Sequence, residues 1–207
     1  MNYEKIISDL NKQCIERWTE SNLELSYIVG TDQYDYSGFL EYIELFKPKF
    51  IVEYGSGIST YLIDKLITKL DYGAEFISFE DCEHWYNKLK VGGVDINNRV
   101  HLVDLGFEEV NGKKGCRYIH DYDGYEKTDF VLLDGPNVNK LGVDTTLNLY
   151  DIVEKFKVRP AYWIDGRKRT KQFYRSLSET NDNYDDQLFI GEDKDRWVWR
   201  VNKNFRQ

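Results

Sequence analysis

The sequence is poor in cysteine and proline, and each shortage excludes a class of protein. Three of its 207 residues are cysteines (Cys14, Cys82 and Cys116), and their spacing forms neither a CxxC pair nor a zinc pattern. The odd number leaves at least one thiol unpaired, so we expect a reducing, cytoplasmic location. The three prolines and the lack of a low-complexity linker indicate a single domain over residues 1–207.

Long hydrophobic runs and an excess of positive charge are also missing. The longest apolar runs are far below the roughly 20 residues of a transmembrane helix. The first residues, MNYEKIISDLNKQ, lack the apolar region of a signal peptide, so we expect no membrane association. Lys and Arg total 28 against 36 Asp and Glu, a net charge of −8 at pH 7. This balance disfavours nucleic acid as a partner, because its phosphates require a positive surface.

Hydrophobic residues make up 41% of the chain and aromatic residues 15%, enough for a packed core. Segments of strand type alternate with segments whose apolar residues have helical spacing. The predicted strands are residues 50–54, 75–80, 100–104, 129–134 and 161–165. The predicted helices are residues 3–19, 38–46, 61–70, 83–90, 145–156 and 170–180.

This alternation predicts an α/β fold with a Rossmann-like, doubly wound sheet of about seven strands, most of them parallel. Residues 187–190 and 197–201 flank a polar turn and predict an antiparallel hairpin at the C-terminal end. Residues 1–47 are interpreted as an N-terminal helical cap and residues 48–207 as the Rossmann-like core.

The most informative segment is a glycine turn between the first strand and the helix that follows it. Gly55 and Gly57 allow a tight turn and a close approach of a ligand, and Ser59 and Thr60 add hydroxyl groups. Glu80 ends the second strand, where an acid can accept hydrogen bonds from ribose hydroxyls. The combination favours a nucleoside ligand. A dinucleotide fits less well, since the third glycine of its binding fingerprint would fall at Thr60. The alternative without any ligand is an ordinary turn that joins a strand to a helix.

The residues of this turn, with acids at other strand ends, resemble those of the class I S-adenosylmethionine-dependent methyltransferases. The resemblance rests on the stretch EYGSGIST from Glu53 to Thr60, on Glu80 and Asp104, and on Asp134-Gly135-Pro136. The resemblance covers about residues 48–201. Within the family, the sequence is similar to enzymes that O-methylate sugars or other small polar metabolites. Ser59 stands where many members have a third glycine.

The resemblance implies S-adenosylmethionine as cofactor and a role for each matching residue. Glu53 would orient the turn and reach the methionine ammonium, Glu80 would hold the ribose, and Asp81 would lie beside the adenine. Asp104 and Leu105 would border the adenine, while Asp134 would face the sulfonium and the substrate. The complete implied cofactor-binding set is Glu53, Tyr54, Gly55, Ser56, Gly57, Ser59, Thr60, Glu80, Asp81, Asp104, Leu105 and Asp134.

The candidate catalytic residues are Asp134, Asp165 and His120. Methyl transfer to a hydroxyl requires alignment and removal of a proton, and both aspartates follow strands and precede glycines. His120, in a polar aromatic loop, is a further candidate base. Metal-dependent relatives bind a magnesium-like ion at such acids. The neighbouring acid or asparagine of those enzymes is replaced here by Gly166, so a Mg²⁺ or Mn²⁺ site is the less favoured alternative.

Four residues are candidates for binding a small-molecule substrate. Tyr34 and Tyr36 are predicted in the loop before the second helix, where they would close over the ligand. Arg167 and Arg169 belong to a basic run after the fifth strand that suits an anionic substrate.

Three functions compete for this pattern. The leading prediction is a methyltransferase that modifies a hydroxylated substrate such as a sugar or glycan unit, which is carbohydrate modification. A nicotinamide-dependent reductase is the second, although no Tyr-x-x-x-Lys pair follows the fourth strand. The third is a non-catalytic binding module that retains the fold.

Overall fold

The computed structural model describes residues 33–92, 96–121, 123–165, 168–178 and 197–200, and isolated helical positions at 5, 8, 9, 12 and 16. The helices are α1 (Gln33–Phe46), α2 (Ile58–Leu70), α3 (Glu83–Gly92), α4 (Ile96–Arg99), α5 (Val138–Leu141), α6 (Asn148–Phe156) and α7 (Lys168–Ser178). The strands are β1 (Phe50–Tyr54), β2 (Glu75–Glu80), β3 (Val100–Leu102), β4 (Leu105–Val110), β5 (Lys113–Tyr118), β6 (Phe130–Leu133), β7 (Thr145–Thr146), β8 (Ala161–Asp165) and β9 (Trp197–Arg200). A 3-10 turn covers Tyr125–Lys127.

The central sheet contains six of the described strands in the order β3-β2-β1-β6-β8-β9. The first five are parallel, and β9 pairs antiparallel with β8. The α/β class and the mainly parallel sheet are therefore confirmed. The strand count differs from the predicted seven, and residues 187–190, the other half of the predicted hairpin, lie outside the described residues.

Helices cover both faces of the central sheet. On one face α1 and α2 pack against apolar side chains of β1, β6 and β8, among them Ile51, Phe130 and Trp163. On the other face α6 and α7 pack against Val52, Val131 and Tyr162. Because α1 lies in the predicted cap, its buried residues Phe39, Tyr42 and Ile43 place part of that segment in the core.

The start of α1 corrects one prediction. Tyr34 and Tyr36 were expected in a loop, with a helix beginning at Gly38, but α1 begins at Gln33 and includes both tyrosines. Gly38 is an interior residue of this helix. Glycine is required there because a Cβ atom would lie 2.4 Å from the Trp163 ring. Its small size serves packing, and it does not mark the helix end.

A second sheet, not predicted from the sequence, combines two strands that lie between β3 and β6 along the chain with a third that follows β6. It contains β4, β5 and β7 in the order β4-β5-β7, with β4 antiparallel to β5. The predicted helix over residues 145–156 is shorter for this reason: Thr145 and Thr146 pair with Gly115 and Cys116 as β7, and α6 begins at Asn148. Asn111 and Gly112, at φ angles of +51° and +69°, form the exposed tip of the β4–β5 hairpin.

Two more features complete the frame around the site. Asp129 Oδ2 accepts hydrogen bonds from the backbone amides of Lys49 and Phe50, at 2.8 and 3.1 Å, and so joins the starts of β1 and β6. Arg117 of β5 pairs with Glu108 of β4 and with Asp151 of α6, which ties the second sheet to the helical layer.

Within the described ranges, no helix is long and apolar enough to span a bilayer.

Candidate ligand-binding and catalytic site

The glycine turn lies at the carboxyl end of the central sheet, between β1 and α2. Gly55 has a φ of +96°, and a Cβ atom there would lie 2.3 Å from the backbone nitrogen of Gly135. The backbone amides of Asp134 and Gly135 donate to the carbonyl of Tyr54, at 2.9 and 2.7 Å. Glycine at position 55 therefore lets the ends of β1 and β6 meet, because any side chain would separate them.

Gly57 has the opposite environment. A Cβ atom at this position would meet nothing within 4 Å, so the turn has open space on the side that Gly57 faces. Its φ of −174° is an extended conformation, which any residue adopts. The Gly57 amide donates to Thr60 Oγ1 at 2.9 Å at the start of α2. The open space at Gly57 leaves room for a ligand against the backbone.

Glu53 holds the turn from inside the protein. Its side chain is fully buried and accepts hydrogen bonds from the hydroxyls of Ser59 at 2.5 Å, Ser78 at 2.6 Å, and Thr60. Burial raises the pKa of Glu53 to about 7, although these three donors act in the opposite direction. The carboxylate is a structural anchor of the turn, and its predicted contact with a ligand's ammonium stays a prediction.

Glu80 lies at the end of β2 and contacts the same turn. Its Oε2 accepts from the Ser56 amide at 2.7 Å, and its Oε1 accepts from the Cys82 amide at 2.8 Å. Burial raises the pKa of Glu80 to about 8, and the neighbouring carboxylates Asp81 and Glu53 add to the rise. Each carboxylate oxygen has a second acceptor position, so Glu80 can accept further donors from a ligand while it holds the backbone.

Ser78 is a member of this cluster that the sequence reasoning missed. Its hydroxyl is fully buried, donates to Glu53 and lies 2.6 Å from the Ser56 hydroxyl. Strand periodicity is the signal that was available, because residues two apart share a face and Ser78 precedes Glu80 by two positions. In the sheet, Ser78 is the direct neighbour of Glu53.

An aromatic cluster of Tyr54, Phe79, His120 and Tyr125 packs on the opposite face of β1 and β2. The His120 ring lies 3.7 Å from the Phe79 ring and nearly parallel to it, and its Nε2 is 2.6 Å from the Tyr125 hydroxyl. Burial, with a smaller effect of His101, lowers the pKa of His120 to about 4. The imidazole is therefore neutral at pH 7 and a weak base, and its catalytic role stays a prediction.

Tyr118 is the second residue that the sequence reasoning missed in the site. It ends the unpredicted strand β5, and its hydroxyl donates to Asp81 Oδ1 at 3.1 Å. A Cβ atom on Gly135 would lie 2.3 Å from the same hydroxyl. Tyr118 thus fills the space between Asp81 and the end of β6.

The residues predicted to border the adenine, Asp104 and Leu105, lie at the junction of β3 and β4. Asp104 is exposed and Leu105 is half-buried.

The two candidate bases end neighbouring strands of the central sheet. Leu133 of β6 is paired with Ile164 of β8, so Asp134 and Asp165 occupy equivalent positions one residue later. Asp134 is half-buried and lies beside the glycine turn; Gly166 and the side chain of Asp165 lie outside the described part of the chain. Among the described residues, no group of three His, Cys, Asp or Glu could hold a metal ion.

The predicted substrate residues lie on α1, at the start of α7 or outside the described residues. Tyr34 and Tyr36 lie in the first turns of α1, and Arg167 lies outside the described residues. Arg169, exposed near the start of α7, donates from Nη1 to the Val143 carbonyl at 3.3 Å. The basic run is not uniformly solvated, because Thr170 and Lys171 are buried.

No protein-family model matches the chain, and no curated protein matches it. Similar solved structures include cofactor-bound Rv0187 from MTB, with 12% identity, 76% of this chain covered and a TM-score of 0.44. The chain spans 65% of the length of that protein.

Two further similar structures are O-methyltransferases. One is TomG from Streptomyces achromogenes, involved in tomaymycin synthesis and in complex with SAM, with 12% identity, 84% of this chain and 79% of that chain covered, and a TM-score of 0.49. The other is an O-methyltransferase from Bacillus cereus in complex with SAH, with 11% identity, 92% of this chain and 88% of that chain covered, and a TM-score of 0.48. Solved structures similar to this chain thus include O-methyltransferases bound to SAM or SAH, the enzyme class that its glycine turn resembles, at low sequence identity.

Proposed function

We propose that this protein is an S-adenosylmethionine (SAM)-dependent methyltransferase that methylates a hydroxyl oxygen of a small polar substrate, such as a sugar or glycan unit. The observation that carries the proposal is the pairing of two features at one end of the sheet. Gly57 faces open space. Glu80 accepts a hydrogen bond from the amide of the preceding residue, Ser56, and has further acceptor positions for a ligand.

The residues of the turn fit an adenosine-containing cofactor. The open side of Gly57 admits a ligand against the backbone, and the two side-chain oxygens of Glu80 offer acceptor positions to a ribose diol. Asp81, fixed by the Tyr118 hydroxyl, lies next to Glu80 on the side where the resemblance places the adenine. When bound, SAM supplies a methyl group that its sulfonium activates toward nucleophiles.

The chain's own contribution to the reaction is alignment and proton removal. Asp134 follows β6 directly beside the glycine turn, and its backbone amide is fixed to the Tyr54 carbonyl. This position makes it the proposed base for the acceptor hydroxyl. An acceptor oxygen that loses its proton to Asp134 becomes the stronger nucleophile.

The substrate is proposed to carry an anionic group. Lys168 and Arg169 are exposed at the start of α7, the helix that follows β8, so their charges lie at the carboxyl end of the sheet. Arg side chains bind carboxylates and phosphates through paired hydrogen bonds. A uronate or a phosphorylated sugar combines a hydroxyl for methylation with such a charge.

Titration calorimetry of the full chain with SAM, S-adenosylhomocysteine (SAH) and NADH tests the cofactor assignment. We expect micromolar binding of SAM and SAH and none of NADH. Binding of NADH alone would favour the nicotinamide-dependent reductase, and the absence of all three signals would favour a non-catalytic module.

Glu80→Ala tests the proposed role of this carboxylate. We expect SAM binding to weaken by about 1–3 kcal/mol, because ribose hydroxyls and two backbone amides lose their buried acceptor. The control is Glu75→Ala, which removes an exposed acid at the other end of the same strand and should leave the SAM dissociation constant unchanged. Equal affinity of Glu80→Ala and wild type would place the ribose elsewhere.

A further inference from the structure

Two buried carboxylates lie under the glycine turn, and Ser78 and Ser56 connect them through hydrogen bonds. Glu53 and Glu80 are on neighbouring strands, and their side chains are almost completely buried. The raised pKa of Glu80 comes mainly from burial, and the charge of Glu53 adds to it. Ser78 lies on β2 between them, opposite Glu53 in the sheet and two residues before Glu80.

The order of the hydrogen bonds follows from the number of hydrogens available. A serine hydroxyl has one hydrogen to donate and two acceptor positions. The Ser78 hydroxyl donates to Glu53, so at its 2.6 Å contact with Ser56 it must accept and Ser56 must donate. The Ser56 amide in turn donates to Glu80. Ser56 is therefore held at two atoms, by Ser78 through its hydroxyl and by Glu80 through its amide.

We propose that Ser78 is a positioning residue of the ligand-binding turn, which fixes Ser56 against Glu80 without touching the ligand. The inference rests on the proposed function. The conformation of the turn then depends on a residue of β2 as well as on the residues of the turn itself. Without the Ser78 hydroxyl, the hydroxyl of Ser56 loses its buried acceptor and turns toward the open side of the turn.

The test compares the SAM affinity of wild type, Ser78→Ala and Ser78→Thr by calorimetry. We expect Ser78→Ala to weaken binding by roughly tenfold, as for the loss of one buried hydrogen bond. Ser78→Thr keeps the hydroxyl in a residue suited to strands and should recover most of the affinity. The stability control is Val52→Ala, whose buried side chain points to the other face of the sheet. It should lower stability but leave the SAM affinity unchanged.

A double-mutant cycle with Ser56→Ala tests whether Ser78 acts through Ser56. Residues that act through one contact give effects that do not add, so the double variant should bind SAM about as weakly as the weaker single variant. Additive effects would overturn the proposal. So would unchanged affinity in Ser78→Ala while wild type binds SAM; failure of wild type to bind SAM would instead contradict the proposed function.

Hydrogen exchange provides a readout that does not depend on the ligand. Loss of the Ser78 hydroxyl should speed amide exchange at position 56 by roughly tenfold and leave the amides of β1 unchanged. If Ser78→Ala does not fold, Ser56→Ala interrupts the same connection at its other end. The amide at position 56 should then exchange faster, and equal exchange in that variant and wild type would overturn the proposal.

Discussion

At the scale of single residues, the two glycines of the turn have different tasks although they are two positions apart. Gly55 lies against the backbone of Gly135 at a positive φ, whereas Gly57 has an extended φ and faces open space. The sequence pattern treats them alike, because it shows only that both lack a side chain. The structure shows Gly55 at the contact between strands and Gly57 facing open space, where we propose that the ligand lies.

Gly57→Val and Gly55→Ala form a matched pair that separates these tasks. We expect Gly57→Val to stay folded, with a stability change of at most about 1 kcal/mol, and to lose SAM binding because its side chain fills the ligand's space. Gly55→Ala should destabilise the fold by about 1–3 kcal/mol through strain and overlap. Chemical unfolding and calorimetry measure both effects. Normal SAM binding by folded Gly57→Val would exclude this turn as the site.

Asp134→Asn tests the proposed base. We expect turnover to fall by about 10²–10⁴-fold with nearly unchanged SAM affinity, because the carboxamide cannot take a proton. Activity of the wild type should be insensitive to EDTA. The control is Asp71→Asn, at the end of α2 that points away from the turn.

A loss of wild-type activity in EDTA that Mg²⁺ restores would show a shared ion at Asp134 and Asp165 in place of a base. In that case Asp165→Asn should also abolish the metal dependence. Equal turnover of Asp134→Asn and wild type would exclude both roles for Asp134.

At the scale of elements, segments with one strong pattern could be predicted and segments defined by distant contacts could not. The strands β1, β2 and β8 and the turn after β1 follow from apolar runs bounded by glycine, proline or acids. The β4–β5 hairpin was missed because its residues are largely exposed and charged, as in LGFEEV, and lack an apolar alternation. Strand periodicity places Ser78 on the face of Glu80, but only its contacts with Glu53 and Ser56 show its role. Tyr118 belongs to β5, a strand that the sequence pattern does not indicate.

Gly38→Ala tests the contact that placed α1 differently from its prediction. Alanine favours a helix over glycine by about 1 kcal/mol, but its Cβ atom would lie 2.4 Å from the buried ring of Trp163. We expect the overlap to dominate, with a net loss of about 1–3 kcal/mol in the free energy of unfolding. Glu41→Ala, at an exposed position of the same helix, should change it by at most about 0.5 kcal/mol. Stabilisation by Gly38→Ala would show that α1 and β8 are not in contact there.

At the scale of the whole molecule, the buried acids make stability depend on pH. The pKa values of Glu53 and Glu80 are raised by burial to about 7 and about 8, so the folded protein binds more protons than the unfolded chain at intermediate pH. Their contribution is complete below the pKa of an ordinary glutamate and is lost as pH rises through these values. His120, with its pKa lowered to about 4, acts in the opposite direction only as pH falls below about 6.5.

Between pH 6.5 and pH 8 we therefore expect the free energy of unfolding to decrease as pH rises. The limiting slope for one proton is about 1.4 kcal/mol per pH unit. Urea unfolding across this range measures the slope, and Glu80→Gln should flatten it because an amide does not ionise there. Equal slopes for wild type and Glu80→Gln would mean that Glu80 is already ionised in the folded protein.

The exposed tip of the β4–β5 hairpin divides the molecule in a useful way. A cut between Asn111 and Gly112 separates the glycine turn and Glu80, on the first fragment, from Asp134 and Asp165 on the second. The fragments would rejoin through β4 with β5 and through β1 with β6, which are separate sets of backbone hydrogen bonds. Because each fragment carries half of the candidate site, co-expressed halves would recover SAM binding only on reassembly, which makes the chain suitable as a split-protein reporter.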